Sequence, residues 1–91
     1  MENVEVTYKN VSYKKFITEL KKMYDNFKVE NKTTESHVAV CLQKSNITVR
    51  NCFNLSEQVV SDKILTQLMK CIDMEGKIEW VHGSKYYYLA E

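Results

Sequence analysis

The residue types best able to do chemistry in this 91-residue chain are its two histidines and three cysteines. His37, Cys41 and Cys52 fall in two neighbouring alternating runs, and pairing those runs as strands puts the three on one face. Zinc takes sulfur and imidazole ligands, but a structural site needs four, and no Cys-x-x-Cys or His-x-x-x-His supplies two from one turn. The sequence therefore predicts no metal centre, and no other cofactor. Nucleophilic catalysis would need Ser or Cys beside a base, and neither His37 nor His82 belongs to a nucleophile motif. Gly76 and Gly83 are isolated, so there is no phosphate loop. Glu57, Asp62, Asp73 and Glu75 are spread among lysines as on a solvated face. The expectation is a protein that is not an enzyme.

Two groups of residues point to binding instead. Lys14, Lys15, Lys21 and Lys22, with Lys28 and Lys32 beyond, form a lysine group interrupted by Glu19 and Asp25, and could contact phosphates. The net charge of +1 lacks the strong positive field of most nucleic-acid binders. The second group is Tyr86 and Tyr88 with Val81 and Glu79. Of three consecutive tyrosines in a strand, at least one must face outward, and tyrosine is enriched at protein interfaces.

Composition bounds the rest. The hydrophobic content of 44% with 27% charged residues fits one globular domain over residues 1–91, and excludes a disordered chain. No apolar run approaches a membrane span, and Met1 to Tyr8 lacks the apolar stretch of a secretion signal. The three cysteines match no paired framework and are read as thiols, so the expected location is cytoplasmic. Four Asn-x-Ser/Thr triplets, beginning at Asn10, Asn31, Asn46 and Asn54, read as caps and turns rather than glycosylation acceptors.

The elements that must position these groups follow from periodicity. Val4, Val6 and Tyr8 alternate as a strand. Tyr13, Phe16, Ile17, Leu20, Met23, Tyr24 and Phe27 recur at helical steps, with Asn10 or Ser12 as cap. Lys28 to Glu35 reads as a loop. His37–Gln43 and Ile47–Phe53 pair around Lys44-Ser45 as a β-hairpin with one apolar face. Ser56 caps a second helix running to about Met74, with Leu55 as staple, Val60, Ile64, Leu65, Leu68, Cys71 and Ile72 as its stripe, and Gly76 at its end. Lys77–His82 and Lys85–Ala90 flank a type II′ turn at Gly83-Ser84, so that Ile78 faces Leu89 and Trp80 faces Tyr87. The fold class is α+β in the order β-α-β-β-α-β-β, an antiparallel sheet with two helices on one face.

The stretch Leu65 to Leu89, a helix followed by Gly76, Lys77 to His82, Gly83 and Lys85 to Leu89 with its aromatic-aromatic-Leu ending, resembles the end of a winged-helix domain. There a recognition helix runs into a two-stranded wing. The resemblance covers under a third of the chain. Upstream, where that family carries a helix–turn–helix, His37 to Phe53 reads as a hairpin. The resemblance implies that Gln67 and Lys70 face a nucleic-acid groove and that Lys85 meets the adjacent phosphate.

The function expected first is a small non-catalytic protein-interaction domain, an inhibitor or adaptor, whose partner is another protein. By analogy alone its home is among phage or mobile-element inhibitors of host defence, such as anti-CRISPR-like proteins. The alternative is a nucleic-acid-binding module. No membrane is expected as partner, and either hairpin's edge leaves homodimerisation open.

Overall fold

The computed structural model describes residues 5–91. It contains β1 (Tyr8–Val11), α1 (Tyr13–Glu30), α2 (Glu35–Leu42), α3 (Asn46–Asn51), α4 (Asp62–Cys71), β2 (Gly76–Val81) and β3 (Ser84–Ala90). Each helix begins at a hydroxyl residue whose side chain accepts from a free first-turn amide: Ser12 from Lys15, Thr34 from His37, Ser45 from Thr48 and Ser61 from Ile64. Such caps each contribute about 1 kcal/mol.

α1 buries Phe16, Ile17, Leu20 and Tyr24, as its periodicity predicts, and Ser12 is the cap. The strands form one antiparallel sheet in the order β1-β3-β2. Val11, Ile78, Tyr87 and Leu89 line its inner face and join the core with residues of all four helices. Phe16 and Tyr13 pack their rings on Tyr87, with centroids 5.1 and 5.3 Å apart. Where the chain enters β2, Gly76 is packed so closely that a Cβ would lie 3.0 Å from Met69 Sδ of α4 and 3.1 Å from the Tyr88 carbonyl oxygen of β3.

The mixed α+β class with an antiparallel sheet stands, but the element order needs correction. No hairpin spans His37 to Phe53. Those residues form α2 and α3, joined by Gln43, Lys44 and Ser45. Gln43 takes the left-handed conformation (φ 56°) that stops α2, and Ser45 starts α3 at once. Among the described residues the sheet has three strands, not five, and there are four helices, not two. The alternation at Val38, Val40 and Leu42 misleads because Val38, Ala39 and Leu42 go inside at helical spacing, leaving Val40 75% exposed. The last helix starts at Ser61 rather than Ser56, Leu55 is exposed, and Asp73 rather than Gly76 adopts positive φ after it. The first strand lies at Tyr8–Val11, later than predicted, and Val4 of the predicted strand is outside the described residues.

The C-terminal hairpin is present in a register shifted by two. Ile78 faces Tyr87, Trp80 faces Lys85 and Val81 faces Ser84. The loop is His82-Gly83, with φ of 50° and 80°, as in a type I′ turn rather than II′. A two-residue slip keeps every side chain on its face. It nevertheless carries Trp80 from the core to the hairpin tip, where it is 61% exposed.

The cysteines also differ from expectation. Cys41 of α2 and Cys71 of α4 form a disulfide across a Cα separation of 6.4 Å, and Cys52 alone is a free thiol. By loop-closure entropy a bridge over 30 residues contributes about 3 to 4 kcal/mol. Burial pushes the Cys52 thiol up to about 11, so it stays protonated.

One core group lacks a partner. The Tyr24 hydroxyl is buried without a hydrogen bond, and burial, then the nearby Glu35 carboxylate, push its pKa up to about 12. Its ring packs on Phe53 at 4.8 Å. Tyr24→Phe keeps the ring and removes the orphan, so it is expected to leave stability unchanged or raise it by up to about 1 kcal/mol in urea denaturation. A clear loss would show that the hydroxyl has a partner.

Candidate functional site

α4 is the element on which the polar residues are most ordered. Leu65, Leu68 and Met69 anchor its inner side. Lys63, Thr66, Gln67 and Lys70, spaced as one helical stripe, remain on its outer side, the two lysines exposed and the others half-buried. Gln67 and Lys70 were expected on this face. Lys63 and Thr66 complete it, and the i, i+3, i+4, i+7 spacing was the signal for them.

The only carboxylate of α4, Asp62, is withdrawn from the stripe. It accepts hydrogen bonds from Gln58 Nε2 at 2.7 Å, Lys85 Nζ at 2.8 Å and Trp80 Nε1 at 2.9 Å. Lys85 also donates to Gln58 Oε1 at 3.0 Å, and the Tyr87 hydroxyl donates to the same oxygen. The Lys85 ammonium lies over the Trp80 ring, 5.0 Å from its centroid. This network ties the inner face of the β2–β3 hairpin to the N-terminus of α4. Lys85, expected at a phosphate, is thus engaged by Asp62.

Desolvation alone would raise the Asp62 pKa, but the hydrogen bonds from Gln58, Lys85 and Trp80 outweigh it and hold the carboxyl below the usual range. A depressed folded-state pKa adds stability above the unfolded value, about 3.9, and that contribution fades as pH falls toward the lower folded value. Acidification below about pH 4 is therefore expected to release the hairpin, seen as a change in Trp80 fluorescence before far-UV dichroism is lost. Simultaneous loss of both signals would refute a separate role for this network.

The α2–α3 turn borders the stripe. Gln43 and Lys44 line a polar cleft of about 240 Å³ together with Ser61, Lys63 and Gln67. Lys44, Lys63 and Lys70 belong to none of the ion pairs among the described residues. Lys44 was not foreseen, because the turn that presents it was read as a hairpin loop.

The other expected site residues lie elsewhere. Lys14, Lys15 and Lys22 are exposed on α1, while Lys21 pairs with Asp25 at 2.9 Å. Glu79, Val81, Tyr86 and Tyr88 share the outer face of the sheet with Tyr8, Asn10 and Lys77. Lys77 Nζ sits over the Tyr8 and Tyr88 rings, 4.6 and 5.2 Å from their centroids, and pairs with Glu79 at 2.8 Å. No residue of this outer face joins the core, and Val81 and Tyr86 are exposed. His37, Cys41 and Cys52 do not converge: His37 is exposed, Cys41 is bridged and Cys52 is buried. Among the described residues, no three of the His, Cys, Asp and Glu side chains come close enough together to hold a metal ion.

No helix of the described residues is long and apolar enough to cross a membrane. In comparisons with protein-family models, curated proteins and solved structures, nothing matches this chain.

Proposed function

We propose that this is a nucleic-acid-binding domain of winged-helix type that lays α4 against a duplex, with the β2–β3 hairpin alongside as its wing. The observation that carries the reading is the stripe Lys63, Thr66, Gln67 and Lys70 on the outer side of α4, whose own carboxylate, Asp62, turns into the hairpin, while Asp73 and Glu75 border the stripe only at its C-terminal end. Lysines meet phosphates, and glutamine suits the paired donor and acceptor of an adenine edge. Upstream of α4 the chain is helical, with α2 and α3 in place of the expected hairpin and residues 52–61 leading from α3 into α4. Lys44 adds a third ammonium from the α2–α3 turn.

With a net charge of +1, affinity rests on this local patch. Neutralising three phosphates gives a slope of about −2.7 in log affinity against log salt on duplex. Fluorescence anisotropy with a mixed-sequence duplex at two salt concentrations tests this. Salt-dependent binding supports the reading, and absent or salt-independent binding removes it.

A second reading, a non-catalytic inhibitor or adaptor acting on another protein, has the open outer sheet face behind it, with Tyr86 and Val81 exposed and Tyr88 beside them. It requires Tyr86→Ala with Tyr88→Ala to abolish partner capture with the fold intact.

A further inference from the structure

We propose that the Cys41–Cys71 bridge is a thiol-exchangeable latch that holds the last turn of α4 in its binding position, so that a dithiol reductant weakens nucleic-acid binding. The proposal rests on the nucleic-acid reading above and adds its regulation.

The bridge joins the two helices that frame the candidate surface. Cys71 follows Lys70 directly and lies one turn beyond Gln67, while Cys41 is in the last turn of α2, three residues before Lys44, which lies past the left-handed Gln43. The covalent link thus sets Lys44 of the α2–α3 turn against the stripe of α4. Just past the bridge α4 ends at Ile72 and Asp73 turns left-handed, the Asp73 and Met74 amides bonding back to the Lys70 and Met69 carbonyl oxygens, so the bridge is the covalent tie between this closed last turn and α2. Beneath the bridge, Val38, Ala39 and Leu42 already join Leu65, Leu68 and Ile72 in the core. Opening it therefore leaves the domain folded and frees only what lies above that layer.

Accessibility decides which cysteines respond. Cys41 is exposed and Cys71 half-buried, whereas Cys52 is fully buried and its thiol bonds to the Thr48 carbonyl oxygen at 3.3 Å. A thiolate from solvent can attack the Cys41 sulfur and expel the Cys71 thiolate, which takes up a proton. The second thiol of the reductant then attacks the mixed disulfide and releases Cys41. The dithiol loses two electrons and becomes a cyclic disulfide, the bridge gains them, and the two thiol protons end on Cys41 and Cys71.

The test uses the folded protein with and without dithiothreitol. Iodoacetamide labelling read by mass spectrometry should modify no cysteine before reduction and only Cys41 and Cys71 afterwards. Affinity for a short duplex should fall about fivefold on reduction and return on reoxidation. Cys41→Ser with Cys71→Ser should bind as the reduced protein does and ignore dithiothreitol. Should that variant not fold, reduction of the unaltered chain, with dichroism recorded alongside, gives the same readout. Labelling of Cys52 at the rate of Cys41 would mean that the bridge opens only by unfolding, and the latch fails. Equal affinity in both redox states would overturn it while leaving the nucleic-acid reading intact. If neither state binds duplex, the nucleic-acid reading falls and amide exchange at Lys70 and Cys71 decides the latch: faster exchange on reduction upholds it, and unchanged exchange overturns it.

Discussion

Replacing Lys63 and Lys70 together by alanine is expected to weaken duplex binding by roughly tenfold or more and to flatten the salt slope by about 2, since each lysine that neutralises a phosphate contributes about 0.9. Both side chains are exposed on one stripe, so the fold should not change. Gln67→Ala should behave differently, leaving the slope alone and reducing discrimination between sequences by about 1 to 3 kcal/mol. Anisotropy titrations across salt concentrations separate the two effects. The control is Lys14→Ala with Lys15→Ala on α1, which should leave the slope unchanged. If instead the α1 pair carries the salt dependence, the binding face is α1 and the proposed docking of α4 is wrong.

Phe16→Ala is expected to cost about 3 to 5 kcal/mol, the range for emptying a fully buried aromatic site. Phe16 is 0% exposed and shares with Tyr13 the contact of α1 with Tyr87 on the middle strand. At 91 residues the whole domain is stable by about 5 to 14 kcal/mol, on a scale of roughly 0.05 to 0.15 kcal/mol per residue. The variant should therefore sit close to unfolding at room temperature, with its midpoint in urea sharply lowered and its slope kept. A cost under about 1 kcal/mol would mean that α1 does not dock on the sheet through this ring.

Where one physical signal dominated, it was legible in the sequence. Seven large side chains at helical steps announced α1, and the aromatic strand after Gly83 announced the last hairpin. The segment from His37 to Phe53 was not, because two signals competed there. Its β-branched residues alternate, whereas Thr34, Ser45 and the left-handed Gln43 form helix boundaries. Capping prevailed, since two short helices can bury Val38, Ala39, Leu42 and Val49 and leave Val40 and Ile47 outside. A misread turn hid Lys44 and the two helices on either side of it. The hairpin register failed for a subtler reason. Gly83 signals a two-residue turn equally well in either register, and only the positive φ of His82 places it at the second loop position rather than the first. The engagement of Lys85 by Asp62 depends on that register and on where α4 begins, so spacing alone could not show it.

The sheet order has a consequence for how the domain is made. β3 is the last strand in sequence yet the middle strand in space, and both β1 and β2 hydrogen-bond to it alone. On the ribosome the helices can assemble as they emerge, but β1 must wait, unpaired, until Ser84–Ala90 has been synthesised. Its pairing closes the longest loop in the domain, the contact that chain entropy makes slowest. Late ribosomal stalling or trimming within Ser84–Ala90 would therefore leave both outer strands without a partner, and such nascent chains should be the ones that chaperones and proteases intercept.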